Sequence, residues 1–360
     1  MKAYVLRTAP GELLLEEVDT GEVGPHDVRI RTAAAGLCHS DVHAIDGDLP
    51  ALLPTVMGHE AAGEVIEIGT DVTEVQVGDH VVACLSSFCG RCSACVAGRP
   101  FLCRAVPTRR ALQPSYTSAG DAVSQYQNIG GFAEEMVLHQ RSVVRVPAEL
   151  PFPAAAVLGC AVVTGVGAVC NTAGVPLGAT VAVIGCGGVG LNCVQGAVLA
   201  GAARIVAVDL DPAMLELAER FGATDLLNGS DPEVAWRIRK MTGGGVDFSF
   251  EAVGSPVTAS VAIEALRVGG TATIAGLAPP TQDLIVALQD LVTRGKRIQG
   301  SVMGSTRFRL DIPSYAALYL SGRLKLDELI TARLTMDEIP TAMANLRSGG
   351  SARSVLVFDA

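Results

Sequence analysis

Residues 180–209, TVAVIGCGGVGLNCVQGAVLAGAARIVAVD, carry the pattern that decides the fold. The apolar run at 181–184 reads as a buried strand. It leads into Gly185-Cys186-Gly187-Gly188-Val189-Gly190, a G-x-G-x-x-G turn that opens an apolar-faced helix. The three motif glycines do different work. Gly185 permits the tight turn, Gly187 lets a pyrophosphate approach the backbone, and Gly190 lets the helix close on the strand. Gly188 and Val189 fall at the helix N-terminus, where free backbone N–H groups favour phosphate. The next strand, RIVAVD, ends in Asp209, whose carboxylate suits the adenosine ribose hydroxyls and repels a 2′-phosphate. Arg204 lies at the wrong end of that strand to accept such a phosphate, so the expected cofactor is NAD rather than NADP.

Downstream the alternation continues through PAMLELAERFG, VDFSFEAVG, SVAIEALRVGG and TATIAG. Strand following helix implies right-handed crossovers and an α/β fold, a doubly wound parallel sheet with a ligand crevice at the carboxyl ends of its strands. From 27 to 146 the pattern differs. Short β-like runs, DVRIRTAAAG, GEVIEIG, DHVVACL, EEMVLH and SVVRVP, are separated by Gly, Pro and Asp turns, which makes a β-rich domain. MKAYVLRTAPGELLLEEV reads as two more strands around a Pro-Gly turn. Mixed structure returns from Arg307 and closes on the strand-like SVLVF, which rejoins the first domain. The expected division is 1–160, 161–301 and a returning segment 302–360.

At 360 residues, 49% hydrophobic with 40 glycines and few aromatics, the chain suits two cores built of Val, Ala and Ile strands. A formal charge of -10 argues against nucleic acid, whose phosphates select basic surfaces. Between Glu149 and Arg204 there is no Asp, Glu, Lys or Arg, but Pro151, Pro153, Asn171 and Pro176 interrupt the stretch. Burial in a soluble fold is expected there rather than a membrane span. The N-terminus lacks the apolar stretch and cleavage site of a signal peptide. Ten cysteines, most near metal-ligand patterns, suit a reducing compartment, and the chain reads as cytoplasmic.

Four of those cysteines, Cys89, Cys92, Cys95 and Cys103, fall in FCGRCSACVAGRPFLC with C-x2-C-x2-C-x7-C spacing. Such a loop wraps a tetrahedral ion. Four thiolates around Zn²⁺ leave no open position, so the ion staples a lobe, at about 88–104, and does not catalyse. An iron–sulfur cluster is disfavoured because the run lacks the closing C-x3-C-P. Three other segments carry soft or borderline ligands: GLCHSDVH with Cys38, His39, Ser40, Asp41 and His43, MGHE with His59 and Glu60, and LGC with Cys160. Two thiolates and one imidazole would leave a fourth position open for water or substrate, but spacing alone does not join residues so far apart.

Taken together, these residues resemble the zinc-containing medium-chain alcohol dehydrogenases over essentially the whole chain. Also in place are the G-H-E at 58–60, the V-G-D at 77–79 and the C-terminal LRSGGSARSVLVF. The resemblance implies a GroES-like catalytic domain beside a Rossmann domain, and two zinc ions per chain. The catalytic ion would sit on Cys38, His59 and Cys160, and the structural ion on Cys89, Cys92, Cys95 and Cys103. It implies that Ser40 contacts the substrate oxygen and relays its proton through the nicotinamide ribose to His43. Asp41 would fix the tautomer of His59, and Glu60 would be a carboxylate able to approach the metal during ligand exchange. His39 and Arg353 fall where the family meets the cofactor pyrophosphate. The pocket would be lined by Leu49, Leu85, Leu277 and Val302. That lining favours apolar alcohols, and Ser40 for threonine with Leu85 for an aromatic widens it towards medium, branched, benzylic or terpenoid substrates.

Three alternatives stay open. One is a glutathione- or mycothiol-dependent formaldehyde dehydrogenase, against which stands Leu49 where an Asp would bind the peptide, with Arg109 and Arg110 the nearby cations. Another is a nicotinoprotein that keeps its NAD. The third is a non-enzymatic, zinc-stapled binding protein. The polar segment after Cys103, up to Phe132, departs most from the family and would shape the pocket mouth or a subunit contact. The family implies a homodimer, with a homotetramer as its other assembly.

Overall fold

The computed structural model describes residues 1–106, 116–348 and 352–358. Arg109 and Arg110 lie outside the described residues, as do 349–351 of the C-terminal motif. The chain divides into two compact units, Met1–Cys160 with Arg307–Ala360, and Ala161–Thr306. The return to the first unit begins at Arg307 rather than at 302, because the turn Met303–Ser305 belongs to the second. A Cβ on Gly304 would stand 2.0 Å from the Val163 carbonyl oxygen, and Asn171 Nδ2 donates to the Gly304 carbonyl at 3.4 Å.

The second unit is built on a six-stranded parallel sheet. Its order is Asp225–Asn228, Arg204–Asp209, Thr180–Ile184, Val246–Glu251, Leu266–Ile274, Arg297–Gly300. The inner strands are apolar because helices cover both faces of such a sheet. Chain order reverses between Thr180–Ile184 and Val246–Glu251, the switch point where dinucleotides bind. The strand Leu266–Ile274 begins ahead of the apolar TATI run. Gly269 takes φ +78° and the pairing register shifts between Val246 and Phe248, so the glycine-containing LRVGG enters the sheet through an irregularity.

In the first unit the ten-residue strand Asp27–Gly36 is the hub. Glu60–Ile68, Glu135–His139 and Ser354–Val357 all pair with it antiparallel, so the C-terminal segment completes the sheet. Ile30, Met57, Phe132, Met136, Leu138 and Leu356 fill the core beneath. A second sheet starts with the hairpin Lys2–Leu6 and Leu13–Glu17, and ends with the hairpin Tyr116–Ser118 and Asp121–Gln125 followed by Asp19–Thr20. The charge-free stretch becomes the helix Phe152–Ala173, of whose most apolar window 89% is buried within the protein. A core helix meets the same composition test as a membrane span, and this degree of burial marks a core helix.

Candidate metal centres and active site

Cys38, His59, Glu60 and Cys160 come from three elements and converge, their ligand atoms all within 4.8 Å of one another and all four residues buried. Cys38 is the cap residue of the helix His39–Ile45. His59 precedes the strand Glu60–Ile68, whose first residue pairs with Gly36; a Cβ there would lie 2.4 Å from Glu60 Oε2, so glycine makes room for the carboxylate. Cys160 sits in the π-helical turn Leu158–Val162. An extra residue in a helical turn re-aims the side chains it carries, and such turns concentrate at functional sites.

Asp41 organises the cluster from below. Its Oδ2 accepts the Cys38 backbone N–H at 3.1 Å, closing the helix start, and its Oδ1 lies 3.0 Å from His59 Nδ1. With that nitrogen protonated, the His59 Nε2 lone pair faces the thiols, and Nε2 is buried without a hydrogen-bond partner. An orphaned imidazole nitrogen beside two thiols is costly unless a cation takes the lone pair. The donor set of two sulfurs and one nitrogen is that of a zinc site, so the residues fit the ion.

The electrostatics agree. The hydrogen bond from Cys160 holds the Cys38 thiol well below its ordinary range, against the effect of burial, with Arg353 and His59 adding to it. The same bond pushes Cys160 up, and a divalent cation would favour the thiolate form of both. Burial works against the His59 imidazolium, but the charges of Asp41 and Cys38 raise its pKa well above the usual value. Burial pushes Glu60 up to about 8, with the Arg353 guanidinium opposing. Arg353 Nη2 is 3.1 Å from Glu60 Oε1, an ion pair outside hydrogen-bond alignment, and Nη1 donates to the Leu37 carbonyl at 3.1 Å. Arg353 is only 3% exposed. Of the two residues read as phosphate contacts His39 is the exposed one.

Ser40, His43 and Asp41 share the helix His39–Ile45. Ser40 Oγ is 3.6 Å from Cys38 Sγ, and His43, three residues on and half-buried, has Nδ1 3.1 Å from Asp48 Oδ2. Leu49 and Leu85 are half-buried in the first unit; Leu277 and Val302, in the second, are 54% and 53% exposed. Two residues at these sites gave no sequence signal. Tyr126, the last aromatic of a polar run, stands edge-on to the His59 ring at 5.8 Å. Glu251, fully buried at the end of its strand, accepts the Val253 and Gly254 N–H groups at 2.9 and 2.7 Å and so shapes the turn beside Gly185.

The cysteine lobe spans the short helix Ser93–Val96 and the turn Pro100–Leu102. Cys92 Sγ is 3.5 Å from Cys95 Sγ and 3.8 Å from Cys103 Sγ, and Cys89 Sγ is 4.0 Å from Cys95 Sγ. These separations exclude disulfides. They match the edges of a tetrahedron with metal–sulfur bonds of ~2.3 Å, about 3.8 Å. The N–H groups of Arg91 and Cys92 point at Cys89 Sγ, at 3.5 and 3.3 Å, and hold its pKa down to about 6, while burial pushes Cys95 up to about 12. Arg141 donates to the Cys89 carbonyl and ties the lobe to the sheet.

In the second unit Gly185 has φ +90°, and a Cβ on Gly190 would lie 1.7 Å from the Gly185 carbonyl oxygen, so only glycine allows the helix Gly188–Leu199 to start there. Around Gly187 nothing stands within 4 Å of a built Cβ, which leaves the backbone open to a ligand. Asp209 Oδ2 accepts the Cys186 N–H at 2.6 Å and Oδ1 the Asp211 N–H at 2.9 Å, clamping the glycine turn to the second strand. Arg204 is committed to Asp225 at 2.8 and 2.7 Å. These residues fit a dinucleotide.

Comparison with known proteins agrees with this geometry. The alcohol dehydrogenase GroES-like domain model matches residues 24–148, and the zinc-binding dehydrogenase model residues 188–320. Alcohol dehydrogenase-like 6 of Arabidopsis thaliana is 37% identical over 98% of this chain and 94% of its own length. S-(hydroxymethyl)glutathione dehydrogenase of Saccharomyces cerevisiae is 36% identical over 99% of this chain and 96% of its own. The structure of benzyl alcohol dehydrogenase from Acinetobacter calcoaceticus superposes with a TM-score of 0.92 at 30% identity, covering 99% of each chain. Built on a GroES-like β domain, a parallel dinucleotide sheet and clustered thiol ligands, the chain belongs to the zinc-containing medium-chain alcohol dehydrogenase family.

Proposed function

We propose that this protein is an NAD-dependent zinc alcohol dehydrogenase that moves a hydride reversibly between a primary or secondary alcohol and NAD, giving an aldehyde or ketone. The observation that carries the reading is the buried trio Cys38, His59 and Cys160, with the orphaned His59 Nε2 aimed among the sulfurs. When bound, zinc supplies a Lewis acid that acidifies an alcohol or polarises a carbonyl, and NAD supplies the hydride acceptor.

The chain's own residues do the rest. Asp41 keeps the proton on His59 Nδ1 and so keeps Nε2 a ligand. Ser40 Oγ, beside Cys38, would accept the substrate's hydroxyl proton while giving up its own, which passes on towards His43 for release to water. Asp48 holds the His43 ring in place for that exchange. Arg353 stands beside Glu60 at the edge of the cluster and opposes the effect of burial on its carboxyl. Cys89, Cys92, Cys95 and Cys103 hold a second, structural zinc. The glycine turn and Asp209 hold NAD, with His39 towards its phosphates. A homodimer in the cytoplasm is part of the same reading.

For the substrate we infer a medium, branched, benzylic or terpenoid alcohol, from the apolar Leu49, Leu85, Leu277 and Val302 and from the likeness to a benzyl alcohol dehydrogenase. The relative named for S-(hydroxymethyl)glutathione favours a second reading. Against it, the two acids nearest Leu49 are already paired, Asp48 with His43 and Asp46 with Arg347. NADH formation across ethanol, hexanol, benzyl alcohol, geraniol and S-hydroxymethylglutathione separates the two. Each buried methylene is worth ~0.8 kcal/mol, about fourfold in kcat/KM, so benzyl alcohol and geraniol should exceed ethanol by at least about tenfold. Ethanol leading the series would overturn the wide apolar pocket, and S-hydroxymethylglutathione leading it would install the second reading.

Asp209 offers a further test. Asp209→Ala loses the ribose acceptor and releases the Cys186 and Asp211 N–H groups, so the Kd for NADH should rise about tenfold or more while discrimination against NADPH weakens. Titration of NADH and NADPH fluorescence reads both, and an unchanged ratio would remove Asp209 from cofactor selection.

A further inference from the structure

We infer that Tyr126 is a positioning residue of the metal-side active site, bracing Ser40 through its hydroxyl and His59 through its ring. Tyr126 is 3% exposed, and its Oη donates to the Ser40 carbonyl oxygen at 2.9 Å. The same ring meets His59 edge-on, centroids 5.8 Å apart and planes at 75°. One side chain therefore touches both the residue read as the proton acceptor and the imidazole read as a ligand. Asp41 holds the other side of the His59 ring at Nδ1 and closes the start of the helix that carries Ser40 through the Cys38 N–H. The helix His39–Ile45 is only seven residues long, too short to hold its own geometry without tertiary contacts. Tyr126 supplies one from a separate element, the segment that follows the strand Asp121–Gln125.

That segment is shaped to deliver the ring. Gln127 and Asn128 both lie in the left-handed region, at φ +52° and +59°. Gln127 there is strained, and such strain persists only where surrounding contacts fix it. Gln125 helps to close the turn, its Nε2 donating to the Ile129 carbonyl at 2.9 Å. The backbone spends conformational energy where the Tyr126 ring is presented, which fits a fixed ring orientation.

The inference rests on Ser40 being the proton acceptor, and the experiment separates the two ideas. Tyr126→Phe keeps the ring and removes the hydroxyl bond. Its kcat should fall about tenfold, with zinc content and the Kd for NADH unchanged and Tm lowered by only about a few degrees, the cost of one buried hydrogen bond. The primary deuterium isotope effect on alcohol oxidation should grow as the chemical step becomes limiting. The Tyr126→Phe/Ser40→Ala double variant should be no slower than Ser40→Ala alone, because the hydroxyl acts through Ser40. Losses that multiply, or a Tyr126→Phe enzyme with wild-type kcat, would overturn the brace. If Ser40→Ala itself retains wild-type kcat, the relay reading fails on its own. The brace is then judged on His59 in the cobalt-substituted enzyme. There Tyr126→Leu should shift the visible ligand-field bands, and an unshifted spectrum would overturn it.

Discussion

Cys160→Ser is expected to lose one zinc per chain and at least about a thousandfold in kcat/KM, ~4 kcal/mol of transition-state stabilisation, while the fold and NADH binding persist. Cys160 is the cleanest of the three ligands to change. Serine has nearly the same shape, and Cys160 faces Cys38 across a hydrogen bond that a hydroxyl can remake. A hydroxyl does not ionise near neutral pH, so the site keeps one thiolate and one imidazole, a poor zinc shell. Removing His59 would be harder to read. Asp41 is fully buried, and without the imidazole its carboxylate would be stranded beside the Cys38 N–H, adding a folding defect to a metal defect. Zinc analysis, NADH fluorescence and a melting curve on the same preparation separate the effects. Cys160→Ser with full zinc and full activity would remove Cys160 from the metal site.

What could be read from the amino-acid order follows how local each feature is. The turn Gly185 to Gly190 is legible because its backbone tolerates glycine alone at two positions, so geometry is written directly into residue type. The cysteine lobe is legible for a similar reason, its four thiols lying within one short loop. Cys38, His59 and Cys160 are different. They arrive from a helix cap, a strand start and a π turn, and no spacing rule links those three positions; only the resemblance to a family joined them. Tyr126 was illegible, because a tyrosine in a polar segment carries no pattern and its importance is a matter of which ring it meets. Arg353 shows the opposite limit. Its type suits a phosphate, whereas its 3% exposure and the Glu60 carboxyl at 3.1 Å are visible only in the fold.

The sheet follows the same logic. Its inner strands are buried on both faces and read as apolar runs, whereas Asp225–Asn228 and Arg297–Gly300 lie at its two edges and stay partly exposed. Edge strands need no continuous apolar run, so DLLN and RIQG carry no strand signature. The early start of Leu266–Ile274 was hidden by Gly269 and Gly270, which usually end strands and here carry an irregularity in one.

Cys92→Ser should have a contrasting outcome: zinc content again falls by one per chain, but stability suffers before chemistry does. Cys92 Sγ has two sulfur neighbours, at 3.5 and 3.8 Å, and its backbone N–H also points at Cys89 Sγ, so this position touches all three of the other thiols. The lobe has little else to hold it. Among its described residues the helix Ser93–Val96 has no buried side chain, and Val96 is 76% exposed. With no apolar core of its own, the lobe depends on ligand bonds for its folding free energy. Losing a site worth several kcal/mol should lower Tm by about 10 °C and open the lobe to protease cleavage between Phe88 and Cys103. The proposed catalytic trio lies on other elements, so the zinc that remains should stay on Cys38, His59 and Cys160, and kcat measured well below the new Tm should stay within about threefold of wild type. Thermal melts with and without a chelator, limited proteolysis and zinc analysis test the assignment together. A Cys92→Ser protein with unchanged Tm and full zinc would show that the four cysteines hold no structural ion.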